Sequence, residues 1–261
     1  MTAAMNEKEI RAAAPAVFGY PASRMSENYG HIKTKKLIDF FGEHGFAVID
    51  AQQDKPRARD PKTVARMLQF QREDTLNVPV KKVGEYAPRI LLRNSHNGRT
   101  CLRLNVGVYR FVCMNGMVVG DDILEASLRH SANVNDVVGE YLSEFNDNAR
   151  ITMDRIASWR EREVSTRKAN NFARKAAVLR FGKDGDKLYK PEELLQTRRA
   201  EDEGNTVWAV FNRVQENTVA QSVGGVNASG RHVRSRPLTS IASSVEYNKQ
   251  LWALAEQTLA A

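Results

Sequence analysis

Between residues 81 and 110 the chain places Lys81, Lys82, Arg89, Arg93, Arg99, Arg103 and Arg110 against the single acid Glu85. Guanidinium groups at such density suit phosphate, because the planar fork donates two hydrogen bonds at once. Along the stretch RTCLRLN, strand alternation puts Arg99, Cys101, Arg103 and Asn105 on one face and Thr100, Leu102, Leu104 and Val106 on the other. An apolar face packs inward and an arginine face is left for an anion. Tyr109 adds a ring on which a base can stack, worth ~1–3 kcal/mol. Gly107 permits a bulge, which would reverse the faces of Tyr109 and Arg110. The competing reading is a solvated sheet face, or arginines paired with Asp121 and Asp122.

A second basic element is GGVNASGRHVRSRP, residues 224–237, with Arg231, His232, Arg234 and Arg236 and no acid. It reads as a flexible connection between helices, able to order on a phosphate backbone. Nothing comparable points to catalysis. His31, His44, His96, His130 and His232 are scattered, with no HExxH or HxH spacing. Ser95 and His96 are neighbours on a strand, so their side chains point apart and do not make a nucleophile and base. Asn94, Ser95 and His96 are expected to satisfy backbone groups around a turn. Asp121-Asp122 is a bare acidic pair, and Gly224-Gly225 lacks the GK[ST] of a phosphate-binding loop. No catalytic residue, metal or cofactor is therefore expected, and the chain reads as a non-enzyme.

The elements that must position these groups follow from periodicity. Residues 1–30 read as an irregular N-terminal segment, an Ala-rich loose helix followed by a stretch with Gly19, Pro21, Ser23, Ser26 and Gly30. Thr34 is expected to cap a helix over 35–44 that Gly45 ends, followed by a strand, FAVIDA. Residues 64–71 alternate as a strand, with Arg66, Leu68 and Phe70 in phase. Strands over 89–94 and 100–113 are joined by Asn97-Gly98, and a further strand from Met117 follows Asn115-Gly116. Both pairs favour the tight turn of an antiparallel hairpin. From Asn133, apolar residues Val134, Val137, Val138, Tyr141, Leu142, Phe145, Ala149, Met153, Ile156 and Trp159 recur every three or four positions. That is the stripe of a long amphipathic helix, expected to lie on one sheet face. Helices over 169–181, 191–197, 206–220 and 244–260 complete the chain. The fold class is α+β: an antiparallel β-hairpin sheet backed by a long amphipathic helix over 31–165, then a helical part over 166–261 carrying the basic loop 224–237.

The 261 residues carry a formal charge of +8. An anionic partner, nucleic acid above all, is favoured. Two cysteines, Cys101 and Cys113, exclude a zinc ribbon or disulfide framework. No run reaches the ~18 apolar residues of a membrane span. A cytoplasmic protein with no membrane partner is expected.

The block Asn94-Ser95-His96-Asn97-Gly98, with Gly107, Arg110, Cys113, Asn115-Gly116 and Val118, resembles the phage and plasmid family catalogued as domain of unknown function 932. Gly45-Phe46, VWAVFNRVQEN and LWALAE fit the same pattern, so the resemblance runs from about residue 20 to the end. Arg66 stands where the family pattern has a histidine, and the glycines of GGVNASGRHVRSR are separated from its arginines. The resemblance implies a mobile-element setting. Single-strand annealing proteins of such elements share a hairpin sheet backed by a long helix, similar to the order read here. The expected function is thus non-enzymatic binding and annealing of single-stranded DNA by a homo-oligomer, without cofactor. The alternatives are a protein-binding anti-defence or regulatory module, and a nuclease, which would need a metal site.

Overall fold

Alternating side chains build five strands: β1 (Phe46–Gln53), β2 (Arg66–Arg72), β3 (Tyr86–Asn94), β4 (Leu102–Arg110) and β5 (Ala126–Leu128). A computed structural model describes residues 3–25, 31–55, 64–76, 86–96, 102–110, 126–128 and 134–260. The strands pair antiparallel in chain order β1-β2-β3-β4-β5. With the helices this is the expected α+β class. The two Asn-Gly turns and the strand from Met117 lie outside the described residues.

By contacts the chain forms two units that meet within α4 (Val134–Glu161), between Ala149 and Arg150. The sequence reading divides the chain at 165, past the end of this helix; by contacts the division falls inside it. In the first unit, Leu68, Phe70, Ile90, Leu92, Leu102 and Leu104 of the sheet bury against Val138, Tyr141, Leu142, Phe145 and Ala149 of α4. Only the part of the amphipathic stripe from Val138 to Ala149 covers the predicted sheet face; Ile156 and Trp159, expected to lie on it too, are buried in the second unit. Phe145 meets Phe46 edge to face, with centroids 5.3 Å apart.

The Ala-rich start of the chain is helical, and residues 19–25 follow without a regular element. Asn6 and Glu9 form a reciprocal capping box that starts α1 (Glu7–Ala13). A 3₁₀ turn, Pro15–Phe18, follows. Ile10, Ala14 and Val17 join the core, and the Ala16 amide donates to Gln53 Oε1 at 2.9 Å. Helix α2 (Thr34–Glu43) buries Leu37 and Phe41, and Gly45 at φ 77° leads out of it. Its N-cap is Lys33, not Thr34, because the Thr34 hydroxyl serves Arg66 instead. A short helix, α3 (Glu73–Leu76), follows β2.

The second unit comprises the described residues from 150 onward. It holds α5 (Thr166–Phe181), α6 (Gly185–Leu188), α7 (Pro191–Leu194), a 3₁₀ turn at Ala200–Asp202, α8 (Val207–Val219), β6 (Gly224–Val226), β7 (His232–Arg234) and α9 (Ile241–Thr258). Trp159 stacks on Trp252 at 4.0 Å, and Phe211 meets that indole edge-on at 5.5 Å. Helix α8 is expected to be amphipathic, yet every residue but Arg213 is buried. Its polar side chains have internal partners, which is what makes such burial tolerable. Asn212 donates to Trp208 O, Gln215 to Asn248 Oδ1 and Asn217 to Leu194 O. Glu216 accepts a two-pronged ion pair from Arg199, Nε at 3.0 Å and Nη2 at 3.1 Å. No helix among the described residues is long and apolar enough to cross a membrane.

Candidate functional site

The sheet face turned away from the core is built by register. Arg93 and Arg103 are directly opposed across β3 and β4, next to the row holding Leu91 and Asn105. Leu102 and Leu104 lie in the core, so the predicted alternation of β4 is correct for Arg103 and Asn105. The register passes Gly107 without a shift, so the bulge that this glycine permits does not form: Arg89 pairs with Gly107, Pro88 with Val108 and Ala87 with Tyr109. The side chains of Tyr109 and Arg110 are outside the described set, as are residues Lys81, Lys82 and Arg99.

A bulge does occur in β1, where the register jumps between Val48 and Asp50. The extra residue reverses the parity of the strand. Val48 keeps its place in the core while Asp50 comes to lie opposite Gln69, on the other face. There a chain of hydrogen bonds forms. Arg89 donates through Nε to Gln71 Oε1 and through Nη1 to Gln69 Oε1, both at 3.1 Å. Gln69 and Gln52 in turn donate to Asp50 Oδ2, at 2.6 and 2.8 Å. Burial raises the pKa of Asp50 above the ordinary carboxylate value; hydrogen bonds from Gln52, the Ala51 backbone and Gln69 and the charge of Arg89 oppose the shift. Gln69, Gln71, Arg89, Leu91 and Asn105 are buried, and Arg93 and Arg103 half-buried. This face is thus not the open arginine platform that alternation alone implies. The internal amide network is what lets so polar a face be buried.

On the core face, the phase of Leu68 and Phe70 carries Arg66, which is 0 % exposed. Its guanidinium donates to Thr34 Oγ1 from Nε at 3.2 Å and from Nη2 at 2.9 Å. Nη2 also lies 2.6 Å from Nε2 and 3.0 Å from Nδ1 of the buried His96. His31 Nε2 is 3.4 Å from His96 Nε2, the rings edge to face. Asn94 sits opposite Arg66 in the register. Its Oδ1 accepts from Ser95 N at 2.8 Å, the local turn role expected of it, and His96 O accepts from Ala22 N. The His96 ring, however, serves this long-range cluster rather than the turn. Sequence reasoning missed the cluster, although a charged residue in phase with Leu68 and Phe70 was its signal. Among the described residues no group of three or more His, Cys, Asp or Glu could hold a metal ion.

In the second unit, residues 224–234 are not a flexible loop. Gly224 pairs with Arg234, Gly225 with Val233 and Val226 with His232, forming an antiparallel hairpin. Asn227 closes its tip, Oδ1 accepting from Ser229 N and Arg231 N, with Gly230 at φ 76°. Ser222 and Ser235 tie its base through Ser235 O and Val223 N. A Cβ at Gly225 would run into the Leu188 carbonyl and the Tyr189 ring, so the hairpin sits tightly on that segment. Arg231, His232, Arg234 and Arg236 are all exposed. Arg234 Nη2 donates to Ser222 O at 2.9 Å, and Arg236 O accepts from Arg180 at 2.8 Å. Partial burial lowers the pKa of Arg180. Of the cations named from sequence, these four therefore lie on the hairpin or just after it, while Arg93 and Arg103 lie on the sheet.

A family model described as Domain of unknown function (DUF932) matches residues 21–252. The UPF0380 protein YfjQ of Escherichia coli (strain K12) is 29% identical over 259 residues, covering 98% of this chain and 92% of that protein. The UPF0380 protein YafZ of the same organism is 30% identical over 263 residues, with the same coverage of each chain. No solved structure matches the chain.

Proposed function

Because the chain belongs to the DUF932 family, whose description carries no chemistry, we propose from its own residues that it binds single-stranded nucleic acid, DNA foremost, through the phosphate backbone and without catalysing a reaction. The observation that carries this is the β6–β7 hairpin, which with the residues just after it holds Arg231, His232, Arg234 and Arg236 exposed on paired backbone anchored by Ser222 and Ser235. Cations fixed in advance lose less entropy on meeting a phosphate than cations on a mobile loop. Two features support the reading. The chain is strongly basic, at +8. Arg93 and Arg103 stand directly opposite each other, which places two guanidinium groups at one position of the sheet. Annealing and a ring or filament of copies belong to the same proposal.

Polarisation of a labelled single-stranded oligonucleotide at low and moderate salt tests it. Binding at low salt that weakens steeply as salt rises is expected, because each phosphate contact releases counterions. Absence of binding at low salt would sink the proposal and leave the hairpin as a docking element for an acidic protein.

A further inference from the structure

We infer that the outer face of α5 is a second contact for the phosphate backbone of the strand that the hairpin binds, an inference that rests on the nucleic-acid reading above. The distribution of charge points to this helix. It holds Arg167, Lys168, Arg174, Lys175 and Arg180, and residues 224–237 hold Arg231, Arg234 and Arg236, with no acid in either stretch. These eight cations equal the whole formal charge of +8, so the remaining cations and acids of the chain balance. Among the described helices of eight residues or more, α5 alone lacks an acid.

The helical repeat gathers Arg167, Lys168, Asn171, Arg174 and Lys175 into about a third of the circumference, and all five are exposed. The opposite side, with Ala169, Phe172, Ala173, Ala176 and Ala177, is buried. Arg167 and Lys168 stand in the first turn, where the helix dipole favours carboxylates and opposes cations, so their placement does not serve the helix. Arg167, Arg174 and Lys175 make no ion pair among the described residues. At its other end α5 holds the hairpin. Arg180 donates from Nε to Thr218 O at 2.9 Å and from Nη2 to Arg236 O at 2.8 Å. The Phe181 ring lies 4.1 Å, between centroids, from that of Tyr189, on which Gly225 sits. The excess charge thus belongs to two elements fixed to each other within one unit. The face suits a polyanion. A protein interface has an apolar or aromatic centre, and the one large apolar side chain exposed on this helix is Val178. A membrane-surface helix inserts its apolar side, and that of α5 is already buried. Arginine, lysine and asparagine all donate to phosphate oxygens.

Polarisation of a labelled single-stranded oligonucleotide across a salt series tests this. With Arg167→Ala, Lys168→Ala, Arg174→Ala and Lys175→Ala together, the plot of log affinity against log salt is expected to flatten by about 3, at ~0.7 per lost contact. Alanine is the best helix former, so the fold is kept. Should the fourfold variant fail to fold, either doublet carries the test, with a flattening of about 1.4. Lys33→Ala with Lys36→Ala removes the charge of one doublet from exposed positions of the first unit and leaves the slope unchanged. A loss confined to the α5 variants supports the inference and removes the hairpin from the nucleic-acid reading. An α5 variant with the wild-type slope, while replacing Arg231, Arg234 and Arg236 by Ala weakens binding, overturns the inference and leaves that reading standing. Equal flattening in an α5 doublet and in the Lys33 and Lys36 control also overturns it, because net charge alone then explains the loss. So does binding to phosphatidylcholine–phosphatidylserine vesicles that the α5 changes abolish while oligonucleotide binding is untouched. A wild-type protein that binds no oligonucleotide at low salt overturns both.

Discussion

Asp50 owes its environment to one inserted residue. Without the bulge between Val48 and Asp50 its carboxylate would share the core face with Val48; with it, the carboxylate joins Gln52 and Gln69. Its pKa is still raised, because burial outweighs those bonds and Arg89. A carboxyl with a raised pKa binds its proton more tightly folded than unfolded. Stability therefore falls as pH rises from the unfolded value of 3.8 through the folded one. Asp50→Asn should abolish that fall and leave the Tm at pH 7 unchanged or higher, measured by thermal melts across pH 4–8. Glu216 is the contrary case. It is 4 % exposed and held by Arg199 from two nitrogens. Arg199→Ala leaves a buried carboxylate without its main counter-charge and should cost about 3 kcal/mol in urea unfolding. The double change Arg199→Met with Glu216→Leu should recover most of the loss.

At the scale of elements, the hairpin depends on close approach. Gly225→Ala forces a methyl into the Leu188 carbonyl and the Tyr189 ring, and should cost about 1–3 kcal/mol. If the hairpin is the nucleic-acid element, the same variant loses oligonucleotide affinity while Arg231 is intact. This element also shows where reading a sequence stops. Its glycines, serines and asparagine look like a linker; the Asn227 side chain and the seat on Leu188–Tyr189, which convert them into a hairpin, depend on residues distant in the chain. Where pairing is local or periodic the sequence suffices: β1 to β4, the stripe of α4 and the stop at Gly182, φ 88°, were all legible. Thr34 shows the other limit. As a residue it suits a helix cap, but Arg66, 32 positions on, takes its hydroxyl. The sheet's second face was legible in its alternation and not in its burial, because Gln69, Gln71 and Arg89 satisfy one another only once the strands are in register.

For the whole molecule the net charge of +8 sets the expected physics of association. A plot of log affinity against log salt should be steep, and replacing Arg231, Arg234 and Arg236 together by Ala should flatten its slope by about 2, at ~0.7 per lost single-strand contact. Size-exclusion chromatography with and without single-stranded DNA tests assembly; a monomer under both conditions would remove the ring or filament from the proposal. The second unit carries a different consequence. It is arranged around α8, whose neighbours include α5, α7 and α9 and which leaves only Arg213 short of burial. In a library of single substitutions, α5 should show the periodic tolerance of a helix with an outer side. The thirteen positions of α8 should show almost none. Change there has to come in pairs, a residue and its neighbour together, so the middle of this unit will drift in sequence by coupled steps or not at all.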